Sequence, residues 1–113
     1  MPHLIVEYAE SLEQRVDMPA LLKILEDDAV ATGVMAREDI KLRAIGYRHW
    51  RLADGGNDFV HLSVRWLAGR SHEQKQAVAE RLRSCLATHL PCVHSLSVEI
   101  IDMDPDGYRK RLR

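Results

Sequence analysis

The residues best suited to chemistry stand at the start of the chain, in Met1-Pro-His-Leu-Ile-Val-Glu-Tyr8. Aminopeptidase removal of Met1 is sterically easy when a small residue such as Pro follows, and the product begins with a secondary amine. A chain-terminal amine titrates near pKa ~7.7–8, and burial in apolar surroundings favours its neutral form. Pro2 would then be an uncharged base at neutral pH, able to move protons between carbon and oxygen. With Met1 retained, Pro2 is a tertiary amide and no base. The pair then serves only as a stiff start to a strand, a position where Pro is tolerated.

Other reactive side chains form weaker patterns. The six histidines, His3, His49, His61, His72, His89 and His94, show no ligand spacing with a second His, Cys or carboxylate of the kind zinc sites use. His61, with Ser63 two residues on, reads as a hydrogen-bonded strand residue. Cys85 and Cys92 read as buried free thiols rather than a disulfide or metal pair. Tyr8, Tyr47, Trp50 and Trp66 read as core or interface, with Trp50 a candidate wall for a pocket.

These side chains must be positioned by a short chain. At 113 residues with 29% charged residues and a formal net charge of -1, it reads as one soluble domain spanning residues 1–113. Near-zero charge argues against a nucleic-acid partner. No apolar run reaches the ~18 residues of a membrane helix, and the start lacks the regions of a signal peptide, so the cytoplasm is the expected compartment.

Alternation over residues 3 to 8 predicts a strand with Leu4, Val6 and Tyr8 on one side. The polar stretch 9–17 ends in Asp17-Met18-Pro19, a capping residue followed by a first-turn proline. A helix over 18–32 follows, with Leu21, Leu22, Leu25, Ala29 and Val30 at helical spacing and Gly33 as its left-handed stop. Residues 40–51 alternate as a second strand that bends at Gly46. Ala53-Asp-Gly-Gly-Asn-Asp58 is the strongest turn signal in the chain.

The pattern then repeats. A strand over 59–67 leads through Gly69-Arg70-Ser71 into a helix whose start carries a capping box, Ser71 with Gln74. That helix runs to about His89, with Val78, Leu82, Cys85, Leu86 and Leu90 as its apolar stripe. Residues 96–100 alternate as a fourth strand, and the basic tail after Asp104 is expected to be solvated.

Two strand-helix-strand repeats, about 2–52 and 59–103, predict an α+β fold: duplicated β-α-β units giving a four-stranded mixed sheet with two helices on one face. The other face would carry Ile5, Glu7, Lys41, Arg43, Ile45, His61, Ser63, Arg65, Ser97, Glu99 and Ile101. A sheet with branched apolar residues on both sides usually finds a partner, which predicts an obligate oligomer. Lys41 and Arg43 could equally form cross-strand ion pairs there with Glu7 or Glu99.

A Pro2-initiated strand, the duplicated unit and the Gly69-Arg-Ser71 turn together resemble the tautomerase superfamily, most closely the 5-carboxymethyl-2-hydroxymuconate isomerases. The resemblance runs through Pro2-His-Leu-Ile-Val-Glu7, Pro19-Ala-Leu21, Ala31-Thr-Gly33, Leu52-Ala-Asp-Gly55, Phe59-Val-His61, Ala68-Gly-Arg-Ser71 and Leu96-Ser-Val-Glu-Ile100, collinear over nearly the whole chain. It implies a homotrimer with sheets facing inward, a cofactor-free and metal-free isomerase, and Pro2 as catalytic base. The substrate it implies is an unsaturated di- or tricarboxylate of the 2-hydroxymuconate type, from homoprotocatechuate breakdown.

The resemblance also assigns substrate binding to Arg70 and to the basic pair after the first helix. There the family pattern reads Ile-Arg-x-Arg, whereas this chain has Ile40-Lys-Leu-Arg43. Lys41 is a point charge in place of a planar fork that grips a carboxylate twice. This leaves open a tautomerase of a different, less charged 2-oxo acid. From another class, a non-catalytic trimeric scaffold binding a small ligand also stays open, because fold does not fix function. On residue type alone Arg70 is an ordinary solvated turn residue.

Overall fold

The computed structural model describes residues 2–113. One four-stranded sheet carries both halves of the chain, in the order β2-β1-β3-β4. The strands are β1 (His3–Ala9), β2 (Lys41–Tyr47), β3 (Phe59–Leu67) and β4 (Ser95–Met103), and the helices are α1 (Met18–Ala31) and α2 (His72–His89). Each β-α-β unit pairs its own strands in parallel, β1 with β2 and β3 with β4, and the two units meet along an antiparallel seam between β1 and β3. The sheet is therefore mixed, with two helices, as the repeat predicts.

Local chemistry accounts for the helix ends. Asp17 accepts from the Ala20 backbone N–H at 3.1 Å, and Gly33 takes φ 79° just past the last turn of α1. Ser71 and Gln74 form the full capping box at the start of α2. Both helices pack on the same side of the sheet. Leu4, Val6, Val60, Leu62, Val64 and Trp66 meet Leu21, Leu25, Ala29, Val78, Leu82 and Leu86 in one core. The opposite face is open, with Ile45 54% exposed and Arg43, Arg65 and Glu99 at the surface.

Several boundaries differ from expectation for reasons of pairing. Strand β2 stops at Tyr47 rather than running to residue 51, because it pairs only with β1 and Tyr47 already faces the last β1 residue, Ala9. Strand β4 is longer than 96–100, because β3 offers partners as far as Leu67, which faces Met103. The segment 9–17 is not merely a polar link: a 3-10 turn at Glu10–Gln14 drives Leu12 fully into the core.

The basic end of the tail, 109–113, is exposed as expected, but Tyr108 returns to β1, where its hydroxyl lies 3.0 Å from His3 Nε2. Cys85 is half-buried, and burial pushes its thiol up to about 11. Cys92, expected to be buried, is exposed after the end of α2.

The joint between the halves is built around Asp58, only 4% exposed. One of its oxygens accepts from Arg15 at 2.9 Å and the other from the His94 backbone N–H at 2.7 Å. A single carboxylate thus ties the linker before α1 to the turn between the units and to the entry of β4.

Candidate active site

Pro2 is buried, directly before β1. Its carbonyl accepts from the Lys41 backbone N–H at 3.0 Å, which carries the β1/β2 pairing one step past His3. On the other side, β1 meets β3 with His3 opposite Arg65, and the next step of that register sets Pro2 opposite Trp66. A proline suits this place, where no ladder donor is needed. Met1, on whose removal the base depends, lies outside the described residues.

Period-two alternation puts the next residue, His3, on the open face between its register partners Lys41 and Arg65. Arg43 follows two residues along β2 and directs Nη1 to His3 Nδ1 at 3.1 Å. A guanidinium can only donate, so Nδ1 must hold a lone pair. The imidazole is then the Nε2–H tautomer, donating to the Tyr108 hydroxyl oxygen. Burial, with the charges of Arg43, Lys41 and Arg65 behind it, lowers the His3 pKa and keeps the ring neutral.

The cross-strand ion pairs considered for Lys41 and Arg43 do not form. Glu7 accepts instead from the Tyr47 hydroxyl, and Glu99 meets His61 at 3.2 Å. Among the described residues neither Lys41 nor Arg43 has a carboxylate partner, so this corner of the open face stays cationic. His61 is hydrogen-bonded, as its strand position suggests, with Nδ1 2.7 Å from Ser97 Oγ.

Arg70 is not the solvated turn residue that its type suggests. Gly69, at φ 137°, turns the chain after β3. The Arg70 guanidinium then donates to the Leu67 carbonyl at 3.1 Å and the Val34 carbonyl at 3.2 Å. Its central carbon stands 4.7 Å from the centre of the Trp66 ring. Two of five N–H donors are used, and both hydrogen-bond acceptors are uncharged carbonyls.

The sheet topology brings Pro2, Lys41 and Arg70 to one end, where β1 and β2 begin and β3 ends. Arg70 lies over Trp66, and Pro2 is buried beside the start of β1, whereas Lys41 and Arg43 project from the open face. None of the five cavities described is lined by any of these four residues. The largest, about 620 Å³, surrounds the joint at Asp54–Asp58. Trp50 is no wall for this site within the chain: it packs edge-on against Phe59, at the opposite end of the sheet.

Sequence reasoning missed three participants. His3 was visible in principle, because alternation places it on the same face as Lys41 and Arg43. Tyr108 and Asp102 carry no local signal: Tyr108 meets His3 across 105 positions, and Asp102 accepts from the Nε1–H of Trp66, beneath Arg70, across 36.

Two parallel β-α-β units joined antiparallel in one four-stranded mixed sheet with two helices are the tautomerase-like fold. A fused 4-OT wild type symmetric trimer shares that fold at TM-score 0.73, with 21% identity, covering 90% of this chain and 85% of its own. The sequence family described as 5-carboxymethyl-2-hydroxymuconate isomerase matches residues 2–111, and the chain belongs to that family of isomerases. A protein of Escherichia coli named 5-carboxymethyl-2-hydroxymuconate Delta-isomerase is 32% identical over 112 residues, covering 93% of this chain and 89% of its own. The crystal structure of a 5-carboxymethyl-2-hydroxymuconate isomerase from Deinococcus radiodurans R1 is 30% identical, with TM-score 0.79, covering 99% of this chain and 90% of its own.

Proposed function

We propose that the protein is a cofactor-independent tautomerase of 2-hydroxymuconate-type unsaturated carboxylic acids, with the amino-terminal nitrogen of Pro2 as general base once Met1 is removed. The observation that carries this reading is the burial of Pro2 at the sheet end it shares with Lys41 and Arg70. Burial favours the uncharged amine, the form that can accept a proton. Isomerising a conjugated 2-hydroxy acid to its ketone removes a proton from the enol hydroxyl and returns one to a vinylogous carbon. Negative charge gathers on oxygen between those steps. Pro2 carries the proton, while Arg70, with Lys41 and Arg43, stabilises the dienolate oxygen and anchors carboxylates.

The cations are available for this work. Arg70 is held by neutral groups, and Lys41 and Arg43 lack carboxylate partners among the described residues. A substrate with two or three carboxylates compensates them, which supports a di- or tricarboxylate over a monoacid. The open face of the sheet, with Ile45 and Tyr47 exposed, supports assembly into a homotrimer, as does the likeness in fold to the fused 4-OT structure named a symmetric trimer.

Intact mass of the purified protein is expected to lack Met1. An ultraviolet assay of 2-hydroxymuconate ketonisation should then show turnover that falls about 10²–10⁴-fold in Pro2→Ala, the usual worth of a positioned general base. Unchanged turnover in that variant overturns the mechanism.

A further inference from the structure

Arg70 is fixed by more than its own turn. The Trp66 ring beneath its guanidinium is fully buried, and the Trp66 Nε1–H donates to Asp102 Oδ1 at 3.1 Å. The second Asp102 oxygen meets Lys75 Nζ, from the first turns of α2, at 2.5 Å. Asp102 and Trp66 face each other across β3 and β4. The same end is closed by the Ala68 N–H donating to the Met103 carbonyl at 3.1 Å. The indole therefore cannot tilt without breaking its bond to Asp102, and Asp102 cannot swing away without leaving Lys75.

This arrangement has an electrostatic consequence. The two Asp102 oxygens are occupied by Trp66 and Lys75. Arg70 feels the Asp102 charge without a hydrogen bond to it, and its own direct contacts are an aromatic face and two carbonyls, which orient its plane. A guanidinium held in this way meets an anion at a smaller entropy cost than one free to rotate.

We propose that Trp66 and Asp102 are positioning residues for substrate binding: Asp102 locks the indole, and the indole presents Arg70 to a carboxylate of the substrate. The proposal rests on the reading of Arg70 as a substrate-binding residue, so its test separates the two. The probe is trans,trans-muconate, an unsaturated dicarboxylate without an enol, titrated calorimetrically into wild type, Arg70→Gln, Asp102→Leu, Asp102→Asn and Trp66→Phe. Thermal midpoints are recorded in parallel.

Asp102→Leu removes the acceptor for Nε1–H, and Trp66→Phe removes the donor; each is expected to weaken muconate binding on the order of tenfold, the scale of a lost preorganising contact. Asp102→Asn keeps an oxygen acceptor for the indole but loses the one that holds Lys75, and should bind more tightly than Asp102→Leu and more weakly than wild type, a partial rescue that loss of fold stability would not produce. Weaker binding in Arg70→Gln with unchanged binding in both Asp102→Leu and Trp66→Phe overturns the positioning role and leaves Arg70 in place. Unchanged binding in Arg70→Gln, or none in wild type, overturns the role of Arg70 and this inference with it.

Discussion

Asp58→Ala should lower stability sharply while leaving turnover per folded molecule unchanged. Asp58 lies at the far end of β3 from Trp66, so the substitution does not reach Pro2 or Arg70. It removes two acceptors at once, one for the His94 backbone N–H at 2.7 Å and one for Arg15 at 2.9 Å. A hydrogen bond to a charged group contributes about 1.5–3 kcal/mol, and the buried side of Asp58 gives the His94 bond a value in that range. The Arg15 side chain is 55% exposed, so its bond is discounted for solvent screening to about 0.5–1 kcal/mol. The expected loss is therefore roughly 2–4 kcal/mol.

Urea unfolding at pH 7 and fixed protein concentration measures that loss, since any assembly links stability to concentration. Asp58→Asn keeps an oxygen for the His94 N–H and should fall between the two proteins. Asp58 also has its pKa lowered, first by that N–H and then by Arg15. Its native pKa lies below its unfolded value, so its contribution is present above the ordinary carboxylate pKa of ~3.9 and is lost as pH falls through the native pKa. The gap between wild type and Asp58→Ala should accordingly shrink on acidification below about pH 4. A midpoint for Asp58→Ala corresponding to less than ~0.5 kcal/mol, within ordinary surface-mutation scatter, or a gap that does not shrink in acid, refutes the assignment.

Two further expectations concern histidines. His3 should titrate below its ordinary value of 6.5 by NMR, and Arg43→Gln should move it upward by removing the nearest cation; a His3 pKa indifferent to that change contradicts the Arg43–His3 contact. At the joint, His94 is held up by Asp54, which it meets at 2.8 Å, and Asp54 is held down by His94. The raised His94 value means that this pair's stabilisation is complete below pH ~6.5 and is lost as pH rises through the native His94 pKa. Gly56→Ala would place a Cβ 2.0 Å from His94 Cδ2 and displace the ring. Thermal midpoints of that variant between pH 5 and 8 should lose the part of the wild-type slope due to His94, and an identical slope would count against the pair.

Much of this protein is determined locally and is therefore legible in its sequence. Period-two alternation in 3–8 and 59–67 and the helical stripes of α1 and α2 state which face each element buries. Asp17, Gly33 and the Ser71–Gln74 box mark helix ends through contacts within a few residues. The collinear likeness to the isomerase family carried Pro2, Lys41, Arg43 and Arg70 forward as candidates. Strand lengths were a different matter, because a strand runs only as far as its neighbour offers partners: β2 stops with β1 at Ala9, and β4 persists with β3 to Met103.

The surroundings of the candidate site were likewise decided only by the tertiary structure. Arg70 reads as solvated until Trp66 and the Val34 and Leu67 carbonyls gather around it. The His3 tautomer follows from Arg43, 40 positions away, and from Tyr108, 105 positions away. Such contacts depend on which strands lie side by side, and no spacing along the chain records that. The reactive residue types were thus set by the sequence alone, while their charge states, partners and orientation came from the antiparallel meeting of its two halves.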